Sequence, residues 1–448
     1  MNDTAEVFLW GTRIGIIHQD ISKAYASFEY DENFVNSGIE LSPIRMPLAK
    51  NIYEFPALIG EPFYGMPGLV ADSLPDRFGN TVIEQWLMSL GKSLSDFTAI
   101  DRLCYTGKRG MGALEYVPAN TDIKDIDENI NVREMVKFAS DILSNRENIS
   151  LKTNDSLTYS QLVQVGSSAG GARAKALIAW NEETNEVRSG QLQLGKGFDY
   201  WLMKFDNVSK NGDHGLEDKP EYTLIEYAYY LMARACGITM NECRIYNSEG
   251  DHHFMTKRFD RKDGKKLHMQ SLGALAHISY QEPGVCGYEL AAMYMKEMGL
   301  SYKEIEQFYR RMVFNCLAVN QDDHVKNISF IMDRTGKWVL SPAYDITFSY
   351  DPSNKWLRAH QMTINGKTTE INNSDILAAG AKMGIKEKRC KDIISEIEAK
   401  VSNFQFFAEQ AGIQEKTYNY INSVIDANKV KLGGNIWQQT DHVAENVM

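Results

Sequence analysis

The run Asn320-Gln321-Asp322-Asp323-His324-Val325-Lys326-Asn327 sets an Asp and an Asn five positions apart, and Ser341-Pro342-Ala343-Tyr344-Asp345 follows across an expected β-hairpin at 328–340. This spacing suits a phosphotransferase, which must hold a base beside a hydroxyl and two oxygen ligands on Mg²⁺. Phosphoryl transfer leaves little covalent work to the protein, whose task is to place metal, nucleotide and nucleophile in line. Asp322 is then the candidate base that accepts a hydroxyl proton. Asn327 and Asp345 offer the amide and carboxylate oxygens that a hard cation takes. The competing reading has Asp322 and Asp323 capping a helix while Asp345 sits in a solvated turn.

At 448 residues the chain has room for two or three packed units. Its net charge of −11 disfavours nucleic acid as the principal ligand, because a DNA reader usually carries a basic field. A basic partner protein is compatible with that balance. The six cysteines contain no C-x-x-C pair and suggest neither a zinc set nor a disulfide framework. The first residues, Met1-Asn2-Asp3-Thr4-Ala5-Glu6, lack the basic stretch of a signal peptide, and no apolar run has the length of a membrane span. A soluble, cytoplasmic protein with reduced thiols is expected.

Residues 1–120 read as short strands (7–10 and 24–30) followed by helices, one of them at 80–89 with Asn80 as its cap. The polar stretch 121–155, with a surface helix at 131–144, is the expected connection. A β-rich part follows at 156–265: a hairpin of 175–180 with 187–194, a strand at 200–205, and a second hairpin of 243–246 with 253–259. Between them lies a helix at 222–236, with Leu224, Ala228, Leu231 and Ala235 on one face and Gly237 at its end. Residues 266–448 read as mostly helical. The expected class is α+β, with a β-rich half and a helical half.

Lys204 ends an apolar strand and can point its ammonium at nucleotide phosphates. Glu226, or its competitor Glu221, can pair with it. Ser167-Ser168-Ala169-Gly170-Gly171-Ala172-Arg173 is a small-residue loop whose N–H groups can approach phosphate oxygens, with Arg173 or Lys175 adding charge. Gly190 to Lys196 resembles a Walker A loop, but Gly197 stands where Ser or Thr should ligate Mg²⁺ and the loop joins two strands. Gly107 to Gly112 has glycines and no helix signal after it. His252 and His253 point to opposite faces of a strand and do not form a metal site. Phe404, Phe406 and Phe407 read as helical core.

Taken in order, these strings resemble the HipA family, the kinase toxins of type II toxin–antitoxin pairs. The resemblance runs from Ser73-Leu74-Pro75-Asp76-Arg77-Phe78-Gly79 through 168–175, Lys204 and Lys257-Arg258-Phe259-Asp260-Arg261 to Asp322–Asn327 and Tyr344-Asp345. It implies a two-lobed, protein-kinase-like fold with an extra N-terminal module, binding ATP and Mg²⁺. Asp322 is then the base, Asn327 and Asp345 the metal ligands, and Lys204 the phosphate-binding lysine. Ser168, Ala169, Gly170, Gly171 and Ala172, with His324 and Lys326, would meet the nucleotide. Met255, Lys257 and Phe259 would form the adenine hinge through backbone atoms. Ser168, or Ser167 beside it, matches the serine that family members autophosphorylate to switch themselves off; a doubly charged phosphate among loop N–H groups gives the physical reason. The family usually has Pro or Glu where Ala174 stands, and frequently Glu where Lys257 stands.

The resemblance implies a serine/threonine kinase acting on a protein of the translation apparatus, with an aminoacyl-tRNA synthetase as the family precedent. A small DNA-binding, HipB-like antitoxin would restrain it, and DNA would be met only through that partner. The alternative is a nucleotide-binding co-repressor module acting mainly through the antitoxin. A third reading is a small-molecule or lipid kinase with the same ATP site.

Overall fold

The structure, a computed structural model, describes residues 2–433 except 21, 90, 94–96, 120–126, 145–164, 166–172 and 209–220. The chain divides into two compact units. The first comprises Met1–Thr223, Asn241–Ser279 and Ser329–Ser341; the second comprises Leu224–Met240, Tyr280–Ile328 and Pro342–Met448.

The first unit opens with an antiparallel five-stranded sheet of β1 (Thr4–Leu9), β2 (Thr12–His18), β3 (Ser27–Tyr30), β4 (Ile52–Glu54) and β5 (Leu114–Val117), in the order β4-β3-β2-β1-β5. Alternation in β1 buries Ala5, Val7 and Leu9 on one face. Helix Arg77–Ser89 begins three residues earlier than the sequence suggests. Its first turn is held by Asp76 Oδ1, which accepts from Gly79 N at 2.6 Å, and Asn80 lies within the helix instead of capping it.

A second antiparallel sheet contains β6 (Lys175–Asn181), β7 (Glu186–Ser189), β8 (Asp199–Lys204), β9 (Cys243–Ser248) and β10 (Asp251–Lys257), ordered β7-β6-β8-β10-β9. Strand β7 stops at Ser189, short of the expected 194, because Gly190 starts a turn whose Cβ position is filled by the main chain of Leu177 and Ile178. A continuous core runs from Phe78, Val82 and Trp86 through Val136 and Ile142 to Ala176, Met203 and Met255. The string beginning at Asp72 is a joint. Asp72 accepts from Ser271 Oγ at 2.8 Å, Ser73 Oγ accepts from the Tyr116 hydroxyl at 2.7 Å, and Asp76 pairs with Lys175 at 3.1 Å.

After β10, Arg258 and Arg261 clamp Asp260 at 2.8 and 2.7 Å, and Asp260 also accepts from Gly112 N at 2.7 Å. Burial alone would raise the Asp260 carboxyl, but the two guanidiniums hold it well below the usual range. Arg261 also donates to the carbonyls of Gly110 and Gly112, so these two glycines serve the buried cluster. Short strands β11 (Arg261–Lys262) and β12 (Lys265–Lys266) follow. A third sheet has the order β13-β14-β15, from β13 (His268–Ser271), β14 (Ser329–Met332) and β15 (Trp338–Leu340). The expected hairpin forms, and β13 joins it although the sequence shows no strand there.

The second unit is helical: Tyr288–Glu297, Tyr302–Leu317, Asn373–Lys382, Glu387–Val401, Phe404–Ala411 and Glu415–Leu432, with most of Tyr222–Ala235. Phe404 and Phe407 are buried and Phe406 is exposed. Tyr229 donates to Ala318 O at 2.6 Å, and Arg310 donates to Cys236 O at 2.8 Å. All six cysteines are buried and form no disulfide. Among the described residues no helix is long and apolar enough to cross a membrane.

Candidate active site

Helix Tyr302–Leu317 starts at a Ser301–Glu304 capping box and delivers the chain to Val319, a β-branched residue at φ +57°. Such a backbone costs of order 1–3 kcal/mol and persists only where neighbours impose it. Here Asn320 N donates to Asn315 O at 3.0 Å, Gln321 N to Ser349 O at 3.0 Å, and Ser349 N to Val319 O at 3.2 Å. A 3₁₀ turn, Val325–Asn327, closes the segment. Asn327 Nδ2 donates to Asp322 O at 2.9 Å, which turns its Oδ1 the other way. The Tyr344 hydroxyl donates to Lys326 O at 2.7 Å, and Asp345 stands at φ +51°. A pocket of about 30 Å³ is lined by Asp322, Asn327 and Asp345, together with Arg311, Asn320 and Tyr288 among others. The three residues singled out from the sequence thus meet in one cavity, and neither Asp322 nor Asp323 caps a helix.

The two adjacent carboxylates are not equivalent. Asp322 has a side chain 45 % exposed and is open to an incoming hydroxyl, whereas that of Asp323 is 1 % exposed. Asp323 Oδ2 meets the Tyr288 hydroxyl and His360 Nδ1, each at 2.8 Å, and its Oδ1 accepts from Gln361 N at 2.7 Å. Burial, and then the charge of Asp323, raise the Tyr288 hydroxyl well above its ordinary range, so it keeps its proton. Burial pushes the Arg311 guanidinium down to about 10, which leaves it charged at neutral pH beside the acidic lining. His324 Nε2 lies 3.8 Å from Asp322 Oδ1, its ring is 5.2 Å from that of Tyr280, and the Lys326 ammonium sits 5.4 Å above the same Tyr280 ring.

The donor set fits Mg²⁺. Asn327 and Asp345 bring oxygens without imidazole or thiolate, and the buried Asn320 Oδ1 lacks a hydrogen-bond partner among the described residues. Among the described residues no three His, Cys, Asp or Glu cluster as an all-protein cage.

The remaining candidates lie mainly in the β-rich unit. Lys204 ends β8, buried between Lys175 of β6 and Phe254 of β10, with its ammonium 5.9 Å from the Phe254 ring. Lys175, one of two residues expected to add charge to the small-residue loop, pairs with Asp76 in the interior. Arg173 stacks 4.6 Å from the Tyr222 ring. Met255 is fully buried within the ladder of β10. Lys257 pairs with Asp199 at 2.7 Å; its N donates to Glu242 O, and its carbonyl accepts from Asn241 Nδ2. Phe259, half-buried, follows the strand. Glu226 is buried in the helical unit, and Glu221 stands at φ +66° in the other. Ser167, Ser168, Ala169, Gly170, Gly171 and Ala172 lie outside the described residues. His253 is buried and accepts from Asp206 N, while His252 faces Asn247 on the other side of the strand.

Sequence reasoning missed Tyr288, Arg311, Asn315, Asn320, His360 and the separate place of Asp323. The only local signal was the second Asp of the pair, since Tyr288 and His360 arrive from 35 and 37 residues away.

Comparison with known proteins gives the same family as these residues. The HipA-like C-terminal domain model matches residues 167–404, and the HipA N-terminal domain model matches 5–117. A Haemophilus influenzae protein is 26 % identical over 166 residues, and a Sinorhizobium fredii protein 25 % identical over 216; both bear the words "Putative kinase" in their names. These matches take in 32 % and 44 % of this chain, which spans about half the length of the curated relatives it matches, 46 % and 49 %. The structure of the Shewanella oneidensis MR-1 toxin–antitoxin system, HipA and HipB with operator DNA, aligns with a TM-score of 0.66 over 96 % of both chains. At 15 % identity that likeness speaks for the fold alone, which is α+β as expected and is shared with a HipA protein. One family model covers more than half of the chain and a second covers the N-terminal sheet, and the chain therefore belongs to the HipA family.

Proposed function

We propose that the chain is an ATP- and Mg²⁺-dependent serine/threonine protein kinase of HipA toxin type. The observation that carries this reading is the single pocket shared by Asp322, Asn327 and Asp345. Asp322, half exposed at its mouth, takes the proton of the acceptor hydroxyl as that oxygen bonds the γ-phosphorus and the bond to ADP breaks. Asn327 and Asp345 would hold Mg²⁺, which when bound neutralises charge on the phosphates. Lys204, set by Glu226 or Glu221, together with His324, Lys326 and the loop 168–172, would bind the phosphates. Main-chain atoms around Met255, Lys257 and Phe259 would meet adenine. Its substrate would be a protein of the translation apparatus, an aminoacyl-tRNA synthetase being the leading choice. Autophosphorylation at Ser168 or Ser167 and a HipB-like antitoxin would control it, with operator DNA reached through the antitoxin.

The test is transfer of labelled phosphate from ATP with Mg²⁺, comparing wild type with Asp322→Asn on material shown to be unphosphorylated. Wild type should label itself at Ser168 or Ser167. Asp322→Asn should be slower by about 10²–10⁴-fold, the share usual for a positioned base. No label in either protein would sink the kinase reading and leave a nucleotide-binding module.

A further inference from the structure

Asp323 sets the direction of a chain of hydrogen bonds that ends in the pocket. An ionised carboxylate only accepts, so the Tyr288 hydroxyl donates to it at 2.8 Å. With its one hydrogen committed, that hydroxyl accepts from Asn315 Nδ2 at 3.0 Å. Asn315 thereby turns its Oδ1 to Asn320, whose Nδ2 donates at 3.0 Å. The Asn320 amide is left with one assignment, its Oδ1 facing away from Asn315. That oxygen is buried without a hydrogen-bond partner among the described residues, in a residue 2 % exposed that lines the same pocket as Asn327 and Asp345. At the other end, His360 Nδ1 and Gln361 N hold the Asp323 carboxylate in place.

A buried acceptor without a donor is costly, and native structures usually keep one where an ordered water or an ion completes it. We infer that Asn320 Oδ1 is a third oxygen of the cation site of Asn327 and Asp345. It accepts a hydrogen bond from a water on the bound metal, and Asp323 keeps it so turned through Tyr288 and Asn315. A pocket of about 30 Å³ has room for about two water-sized occupants, which suits a cation that sheds its water reluctantly. This inference rests on the proposed metal-binding role of Asn327 and Asp345 and makes Asn320 and Asp323 positioning residues for the metal.

The experiment is Mn²⁺ binding to the full chain with a non-hydrolysable ATP analogue. Free Mn²⁺ is read by electron paramagnetic resonance at a temperature where each variant is folded by circular dichroism. Asn320→Leu removes the acceptor at nearly constant volume. Asp323→Asn leaves Asn320 in place but gives Tyr288 an amide that can donate, so the chain can reverse. Both should bind Mn²⁺ about tenfold more weakly, the lower end of the usual effect of an outer-shell partner. Wild-type affinity in both variants overturns the inference alone; if Asn320→Leu does not fold, Asp323→Asn decides. A wild-type chain that binds no Mn²⁺ overturns the inference together with the metal role of Asn327 and Asp345.

Discussion

Asp322 and Asp323 are neighbours in the chain, yet one side chain is 45 % exposed and the other 1 %, because Tyr288, His360 and Gln361 N hold Asp323 in the interior. The place of such a residue is set by partners that only the fold brings to it. Histidines drawn out of water pose the same problem. Burial pushes His268 and His277 down to about 4. His277 Nε2 accepts from Gly68 N at 3.0 Å, where the main chain runs so close to Ala274 that a Cβ on Gly68 would lie 2.0 Å from Ala274 O. Both rings titrate near 6.5 when unfolded, so above that pH neither state takes up protons and stability is full. Between pH 6.5 and about 4 only the unfolded chain takes up protons, and stability falls. At pH 5 the loss is about 2 kcal/mol for each ring. Melting temperatures at pH 7 and pH 5 should therefore drop for wild type and drop less for His277→Gln, which keeps an acceptor and does not titrate. Equal drops in the two proteins would count against a neutral, half-buried His277.

Elements with strong local punctuation were legible. Gly237 stops the helix Tyr222–Ala235, and the turn at 182–185 pairs β6 with β7. The pairing of β1 with β5 and the addition of β13 to the late hairpin were hidden, since both join strands far apart in sequence. The start of helix Arg77–Ser89 was placed three residues late for a related reason: Asp76 serves two elements at once. It holds Gly79 N at the head of the helix and pairs with Lys175 at the start of β6, with both side chains nearly inaccessible. Losing one member of a buried ion pair costs about 3–5 kcal/mol. Asp76→Ala should lower the unfolding free energy by that amount in a urea titration. A loss below about 1 kcal/mol, the range of an exposed pair, would mean that the joint does not depend on it.

The whole molecule is less legible than its parts, because each compact unit is assembled from three separate stretches and the hairpin β14–β15 belongs to the β-rich one. Charge, by contrast, could be read without a fold. A net charge of −11 repels a phosphate backbone at long range and attracts a basic partner. On the proposed reading, the chain meets operator DNA by riding on a basic antitoxin and adds few phosphate contacts of its own. Each phosphate neutralised by Lys or Arg steepens the fall of log affinity with log salt by about 0.9. The complex of chain and antitoxin should therefore show the same salt slope on operator DNA as the antitoxin alone, to within about one phosphate contact. The chain by itself should not retard DNA at physiological salt. A complex with a slope steeper by two or more contacts would place lysines and arginines of this chain on the DNA, and the acidic surface would then have to be uneven enough to present a basic face.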